Sequence, residues 1–309
     1  MKKILIVLIF LAFSFFTWAY FFIPTQLNMD ERVLVKANKN TVNRGLNNMA
    51  LWKQWWPDTS NNGLSYNNIN YRPQLPGLYA FAINVTDDNI TDHKTILSIV
   101  ESSRDSVLLS WKGTFKMSSN LFTRIIRYNK MKKQRGDMRD ILYAAQKFLS
   151  EPQNIYGIKI TNEIVKDTLL LNTHAAFTHT PSTHETYTLI NKLVKAANDA
   201  GAPITGHPML NLMKKDSAGY LLRVALPVSK PVKEGNGIVV KRMISGNILV
   251  SNNITGGTGT VENAFKQMMN YVRDFNKTLP AIPFQSLITN RQIEKDSTKW
   301  ITRIYCPVI

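Results

Sequence analysis

The segment YLLRVALPV, residues 220–228, has a counterpart in WITRIYCPVI, residues 300–309. Both contain the pattern R-x-x-x-P-V, which begins at Arg223 in the first segment and at Arg303 in the second. Each segment alternates side chains at the two-residue period of a strand and places an arginine in an otherwise apolar run. Because the sequence pattern of a whole strand occurs twice, we expect the C-terminal half of the chain to be a duplicated domain.

The elements that precede each repeated strand are predicted to repeat as well. In the first copy, residues 157–178 have the pattern of one long or bent strand and residues 181–203 that of a capped helix, with two strands after it. In the second copy, residues 237–254 are strand-like and residues 261–276 helical, again before two strands. Two copies of β-α-β-β at an offset of about 75 to 80 residues predict a pseudo-twofold domain. Its ligand cleft is expected where the halves meet.

Composition limits the classes of protein to consider. The chain has 309 residues, 44% hydrophobic and 19% charged, which suits about two folded domains. Its net charge is +17, but the basic residues are dispersed and accompany no DNA-reading or RNA-reading motif, so we expect no specific nucleic-acid partner. The single cysteine, Cys306, excludes an intramolecular disulfide and a thiolate metal cluster.

The N-terminus contains an uncharged apolar run over residues 4–23. A helix of twenty residues spans about 30 Å, the thickness of a bilayer's hydrocarbon core. The run is longer than the hydrophobic region of a cleaved signal peptide, and Trp18 lies near its far end, as is typical of membrane interfaces. We therefore expect a single-pass anchor in residues 1–25. Lys2 and Lys3 precede the run, which predicts that the bulk of the chain is extracytoplasmic, or periplasmic.

Residues 30–152 are predicted to form one closed α+β unit. Short β-type runs separated by Asn, Asp, Gly and Pro over residues 65–118 predict an antiparallel meander. Residues 138–152 place their apolar side chains on one face of a helix, which would cover the sheet. The segment 152–157 is the expected boundary. The predicted fold class is thus α+β: an N-terminal transmembrane helix, a helix-grip domain with an antiparallel sheet, and the duplicated β-α-β-β domain.

Both units resemble known families. The early strand, ALWKQWWPD at 50–58 and the helix at 138–152 make residues 30–152 resemble an SRPBCC domain of the START-like, polyketide cyclase type. The duplicated β-α-β-β, ALPV, ISGNILV before GGTGT, and KWITRIYCPV make residues 155–309 resemble the GyrI-like or AraC effector-binding domain. The second resemblance implies an aromatic-walled cleft between two halves, which takes small and often cationic or apolar ligands. Some members of that family are hydrolases.

One position departs from the GyrI-like pattern. The family's final strand typically carries a ligand-facing glutamate after the threonine of a W-x-T-E-I-like ending, and Arg303 stands there in this chain. Burying a cation without a negative partner is costly, so an arginine reverses the preference. If Arg303 faces the cleft, the ligand is expected to be neutral or anionic. Alternatively, Arg303 and Arg223 face solvent, because alternation places Ile304 and Cys306 together on the other side.

Aromatic and arginine side chains are the candidate ligand contacts. In the C-terminal domain they are Trp300, Arg303, Tyr305, Tyr187, Phe177 and Arg223. In the helix-grip domain, Trp52, Trp55 and Trp56 either rim a ligand cavity or pack in the core.

No residue pattern predicts catalysis, a cofactor or a metal site. His174, His179 and His184 recur every five residues, a spacing that gathers them on neither a helix face nor a strand face. The segment GGTGT at 256–260 lacks the ending of a phosphate loop, although the helix that follows could hold an anion at its N-terminus. The sequence thus predicts a membrane-anchored small-molecule-binding protein. A hydrolase or cyclase acting on a small lipophilic substrate and a regulatory or scaffolding module at the membrane, with an unknown protein partner, are the alternatives.

Overall fold

The computed structural model describes residues 2–58, 63–87, 90–165, 168–215, 219–243 and 245–309. The chain divides into two compact units, Met1–Ile155 and Tyr156–Ile309. Each unit contains one antiparallel sheet.

The first unit is built on a six-stranded sheet. Its strands are β1 (Gln26–Val35), β2 (Ser65–Tyr66), β3 (Ile69–Pro73), β4 (Ala80–Asp87), β5 (Ile90–Ser103) and β6 (Ser106–Lys116), in the order β1-β6-β5-β4-β3-β2. Its helices are α1 (Lys2–Phe22), α2 (Lys39–Leu46), α3 (Met49–Trp55) and α4 (Leu121–Leu149), and α5 (Pro152–Tyr156) follows at the end of the unit.

Helix α4 is held to the sheet by an apolar stripe and by charge. Asn120 caps its first turn, because its side-chain oxygen accepts hydrogen bonds from the backbone N–H groups of Phe122 and Thr123. The stripe recurs at intervals of three and four residues, as an amphipathic helix requires. Its buried apolar members are Met131, Met138, Ile141, Leu142, Ala145 and Leu149. Glu31 of β1 accepts hydrogen bonds from the guanidinium groups of Arg135 and Arg139, which ties the helix to the edge of the sheet.

Helix α1 contains the apolar run that predicted a membrane anchor. One side of its final turns contacts the rest of the first unit: Ala19 is buried, and the ring of Phe16 lies edge-on to Phe122 of α4 at 4.9 Å between centroids. The other side, which includes Trp18 and Phe21, is exposed. Over the described residues, no helix combines the length and the apolar composition that a membrane crossing requires. The predicted transmembrane helix, and the single-pass anchor from which the extracytoplasmic location was inferred, were therefore wrong, and the membrane partner through residues 4–23 finds no support.

The predicted fold class is corrected accordingly. No described helix is suited to span a membrane, and the described parts of the two units contain two curled antiparallel sheets and seven α-helices.

The second unit is built on a nine-stranded sheet. Its strands are β7 (Ile160–Val165), β8 (Leu169–Phe177), β9 (Met209–Lys215), β10 (Gly219–Val228), β11 (Val239–Arg242), β12 (Gly246–Ser251), β13 (Ile254–Thr255), β14 (Phe284–Leu287) and β15 (Ile301–Val308). The order is β11-β8-β10-β9-β14-β15-β12-β7, and β13 pairs with β15 outside this path. Its two long helices are α6 (Thr183–Asp199) and α7 (Thr258–Asp274).

The strand order of this sheet is symmetric about its centre. The triplet β8-β10-β9 on one side is matched by β12-β15-β14 on the other, and the triplets meet where Leu210 pairs with Gln285 and Met209 with Ser286. The two R-x-x-x-P-V segments form β10 and β15, the middle strands of the two triplets.

The two faces of the sheet carry different side chains, because successive residues of a strand point to opposite sides. Leu222 and Val224 of β10 and Ile304 of β15 lie on the side that α6 and α7 cover, here termed the helix face. Arg223 and Arg303 alternate with them and lie on the opposite side, here termed the arginine face.

Candidate functional site

A cavity of about 390 Å³ lies on the arginine face, where the two strand triplets meet. Its apolar lining includes Leu170, Met209, Met243, Ile282, Phe284 and Pro307. Its polar lining consists of Asn172, Asn211, Arg223, Lys241 and Arg242. Over the described residues, no Asp, Glu or His side chain lines this cavity, so the charged groups that line it are all basic.

The guanidinium of Arg223 is oriented by a neutral partner. Arg223 lies directly opposite Asn211 in the pairing of β10 with β9, and its Nη1 donates a hydrogen bond to Asn211 Oδ1 at 3.2 Å. Asn211 Nδ2 in turn donates to the backbone oxygen of Pro283 at 2.9 Å, which fixes the amide. Since an amide carries no charge, the positive charge of Arg223 remains available to an anion in the cavity.

The predicted residues of β15 lie beside this cavity. The ring of Tyr305 stacks on Phe284 with 5.1 Å between centroids and 4° between planes, so Tyr305 supports the aromatic wall from behind. Arg303 is exposed, and its Nε donates to Asn253 Oδ1 at 2.7 Å in the turn before β13. Arg303 does not line the cavity, whereas Arg223, its counterpart in the repeat, does.

A second, smaller cavity of about 110 Å³ lies on the helix face, between the first turns of α6 and α7. Tyr187 and Trp300 line it together, and Arg291, from the loop between β14 and β15, lies between them. The Cζ of Arg291 is 4.6 Å from the centroid of the Trp300 ring, and its Nη2 donates to Thr302 Oγ1 at 2.8 Å. The hydroxyl of Tyr187 accepts a hydrogen bond from the backbone N–H of Arg291 at 2.7 Å.

Burial changes the acid–base properties of this cluster. Removal from water lowers the pKa of the Arg291 guanidinium, and it raises the pKa of the Tyr187 hydroxyl. The Nε of Arg291 is buried and has no hydrogen-bond partner among the described residues. The cluster therefore contains a cation that its own protein surroundings satisfy incompletely.

The structure thus distributes the candidate contacts of the C-terminal domain over both faces of one sheet. Tyr187 and Trp300 come together on the helix face, while Arg223 and Tyr305 lie on the arginine face, where Arg223 lines the cavity and Tyr305 contacts its wall through Phe284. Phe177 lines neither cavity, because it packs against the core beneath α6.

The three tryptophans of the first unit form a buried group. Trp52, Trp55 and Trp56 are 1%, 6% and 3% exposed, with ring centroids 5.0 to 6.1 Å apart. The indole N–H of Trp52 donates to the backbone oxygen of Leu46 and that of Trp56 to the backbone oxygen of Ser65. These contacts are typical of core packing.

Some buried polar groups in the first unit were not predicted. Trp55 Nε1, Tyr71 Oη, Gln134 Nε2 and Asp137 Oδ2 have no partner among the described residues. Burial raises the pKa of Asp137, although Asn67 donates a hydrogen bond to its Oδ1 at 2.7 Å. The sequence contained a usable signal, because Gln134 and Asp137 occupy buried positions of the α4 stripe, three residues apart.

Residues that the sequence interpretation missed also line both cavities of the second unit. Met209 and Met243 contribute to the arginine face, and their only sequence signal is a long apolar side chain at the start of β9 or just after β11. Arg291 lies in a loop, where no periodicity indicates the direction of a side chain.

The chain was compared with known families, curated proteins and solved structures. Neither the family models nor the curated proteins give a match. The C-terminal domain of EcmrR is 18% identical with a TM-score of 0.42, over 49% of this chain and 98% of that one. EcmrR in a complex with DNA is 19% identical with a TM-score of 0.44, over 62% of this chain and 72% of that one.

A START superfamily protein from Mycobacterium smegmatis is 15% identical with a TM-score of 0.25, over 36% of this chain and 94% of that one. At these identities and TM-scores, the likenesses carry no functional conclusion for this chain.

Proposed function

We propose that the second unit binds a small molecule of apolar to anionic character in the cavity of the arginine face. The observation that carries the proposal is a cavity of about 390 Å³ whose charged lining is entirely basic over the described residues. Cavities that hold small ligands are mostly apolar, contain a few oriented polar groups and measure about 300 to 1,000 Å³. This cavity has all three properties.

The apolar part of the lining favours a flat or flexible hydrophobic ligand body. Phe284 presents a ring that is held in place by the stacked ring of Tyr305. Met209 and Met243 have unbranched, polarizable side chains, which adapt to different ligand shapes. Such a wall binds by burying apolar area, at about 25 cal/mol per Å².

The polar part favours an anionic head group over a cationic one. Arg223 is partly buried and hydrogen-bonded to an amide rather than to a carboxylate. A carboxylate or sulfonate near it would gain a charge-assisted hydrogen bond, whereas a cation would meet like charge from Arg223 and Lys241. Because no Asp, Glu or His in the described residues lines the cavity, binding is favoured over hydrolysis or cyclisation at this site.

A set of matched probes tests this function. Naphthalene-2-sulfonate, naphthalene-2-methanol and naphthalen-2-ylmethylammonium share one apolar body and differ in charge. We expect calorimetric titration of the full chain to give the tightest binding for the sulfonate and the weakest for the ammonium. Arg223→Gln should weaken sulfonate binding by about tenfold, since a hydrogen bond to a charged group contributes about 1.5 to 3 kcal/mol.

The matched control is Arg303→Gln, which removes the same charge from the same face at an exposed position outside the cavity. This control should change sulfonate affinity by less than about twofold. Equal affinity for all three probes would show that binding does not depend on the charge of the ligand. Equal losses in the two variants would show that the sulfonate responds only to the overall charge of +17.

A further inference from the structure

We propose that the helix face carries a second and separate site, which binds a small oxyanion of the phosphate class. The site is the cavity of about 110 Å³ between the first turns of α6 and α7. Its floor is apolar and includes Leu210, Leu212 and Leu222 of the sheet. Its walls supply Thr183 and Thr186 from α6 and Thr258 from α7, with Arg291 and Trp300 beside them.

Arg291 is the residue that carries this inference. Among the described residues, no carboxylate lies within ion-pair distance of its guanidinium, whose Nη2 donates to the neutral hydroxyl of Thr302. Trp300 covers one of its faces at 4.6 Å, and its Nε is buried without a partner. Because a partly buried cation is costly without a negative partner, an anion in the adjoining cavity would stabilise this arrangement.

Of the two helices that start at the cavity, α7 adds to its positive potential. Helices α6 and α7 each have 17 residues, and the N-terminus of a helix presents free backbone N–H groups with a partial positive charge. The start of α6 is capped by Ser182 and Glu185. At the start of α7, the N-cap residue Gly257 makes no side-chain hydrogen bond. A phosphate oxygen is a natural acceptor for such N–H groups.

One acidic residue, Glu262, also lines the cavity. It is exposed and lies one turn into α7, four residues after Thr258. Its charge opposes an anion at the site, although solvent screens an exposed carboxylate. The site is therefore expected to have modest affinity, which removal of this one charge would increase.

The volume of the cavity limits the size of the ligand that it can hold. A volume of about 110 Å³ holds a tetrahedral oxyanion, whereas the larger molecules proposed for the arginine face need about 300 Å³ or more. The Thr183 and Thr258 hydroxyls and the Arg291 guanidinium are donors of the kind that phosphate oxygens accept. The ligand is thus inorganic phosphate or the phosphoryl group of a small ester.

Titration of the full chain with inorganic phosphate, at constant ionic strength set with chloride, tests the site. We expect saturable binding in the millimolar range or tighter. Arg291→Gln should weaken it about tenfold or more, because it removes the charged donor. Glu262→Gln should tighten it by about two- to fivefold, because it removes the opposing charge. Arg303→Gln, the control on the opposite face, should leave it unchanged.

A second variant, Thr258→Asp, tests the site independently in case Arg291→Gln does not fold. An acidic residue in the first turn favours the helix, so this variant is expected to fold, yet its charge should prevent oxyanion binding. Circular dichroism checks the fold of each variant. Methyl phosphate identifies the source of the anion: equal binding of both compounds indicates a phosphoryl group, and binding of phosphate alone indicates the free ion.

Two results would overturn the inference. The first is phosphate binding that Arg291→Gln and Thr258→Asp leave intact. The second is phosphate binding that Arg303→Gln weakens as strongly as Arg291→Gln, which would indicate an unspecific effect of net charge. Arg223→Gln is expected to leave phosphate binding unchanged, so failure of the arginine-face function and failure of this site are separate results.

Discussion

The two faces of the second unit's sheet differ in what covers them. On the helix face, Leu222, Val224 and Ile304 are at most 1% exposed. On the arginine face, Arg223 and Tyr305 from the same strands are partly buried, and Arg303 is exposed. A single strand thus supplies the core with every second residue and a cavity or the surface with the residues between. In both R-x-x-x-P-V strands, alternate residues pack in the core, while the arginines between them differ in their surroundings: Arg223 lines a cavity and Arg303 is exposed.

The largest expected difference between the faces is in stability. Met268 of α7 is fully buried, so Met268→Ala should destabilise the second unit by about 2 to 5 kcal/mol through lost apolar contact and the cavity left behind. Arg303→Ala on the arginine face should change stability by no more than about 0.5 kcal/mol. Hydrogen exchange of the β15 amides reports on the second unit and measures both variants. Comparable losses of protection in the two variants would contradict the assignment of the core to the helix face.

Thiol chemistry gives a second way to compare the faces. Cys306 is fully buried on the helix face, and burial raises the pKa of its thiol to about 12. A thiol with a raised pKa is protonated and unreactive at pH 8, whereas an exposed thiol with a pKa near 8.5 is partly ionised. We expect Arg303→Cys, in a Cys306→Ser background, to react with iodoacetamide about a hundredfold faster than the native chain does.

Mass spectrometry of the alkylated protein measures both rates. A further rate, taken in denaturant, shows whether the native difference comes from the fold. A native Cys306 that reacts as fast as the introduced cysteine would mean that the alternation along β15 is assigned to the wrong sides.

Much of this organisation could be predicted from local pattern. A period of two places Arg223 and Val224 on different faces of the sheet, and Arg303 and Ile304 likewise, whatever the rest of the chain does. Which arginine lines a cavity could not be predicted in this way. Arg223 pairs with Asn211 of a neighbouring strand, while Arg303 reaches Asn253 in a turn, and these partners become neighbours only in the folded sheet.

Local sequence pattern was also insufficient to predict the contacts of Arg291 and of the apolar run at the N-terminus. Arg291 lies in a loop without periodicity, and only the folded chain brings it to Tyr187 and Trp300. The run at residues 4–23 was interpreted from its composition, its length and its flanking residues, which do not show that Ala19 and Phe16 contact the rest of the first unit. The composition of a segment limits the environments in which it is stable, whereas its contacts in the folded chain determine which of those environments it occupies.

The smallest expected effect concerns the starts of the two helices that border the oxyanion site. Ser182→Ala removes the cap of α6 and should destabilise the second unit by about 1 kcal/mol. Gly257→Asp adds an acceptor at the start of α7, where the backbone has φ −76° and tolerates any side chain, and should stabilise that helix by up to about 1 kcal/mol. Hydrogen exchange of the two first turns measures these effects.

Because the new carboxylate would compete for the N–H groups assigned to the oxyanion, Gly257→Asp should also weaken phosphate binding, while Ser182→Ala should leave it nearly unchanged. An aspartate that stabilises α7 without weakening phosphate binding would show that the start of α7 contributes nothing to the site, which would then depend on Arg291 alone.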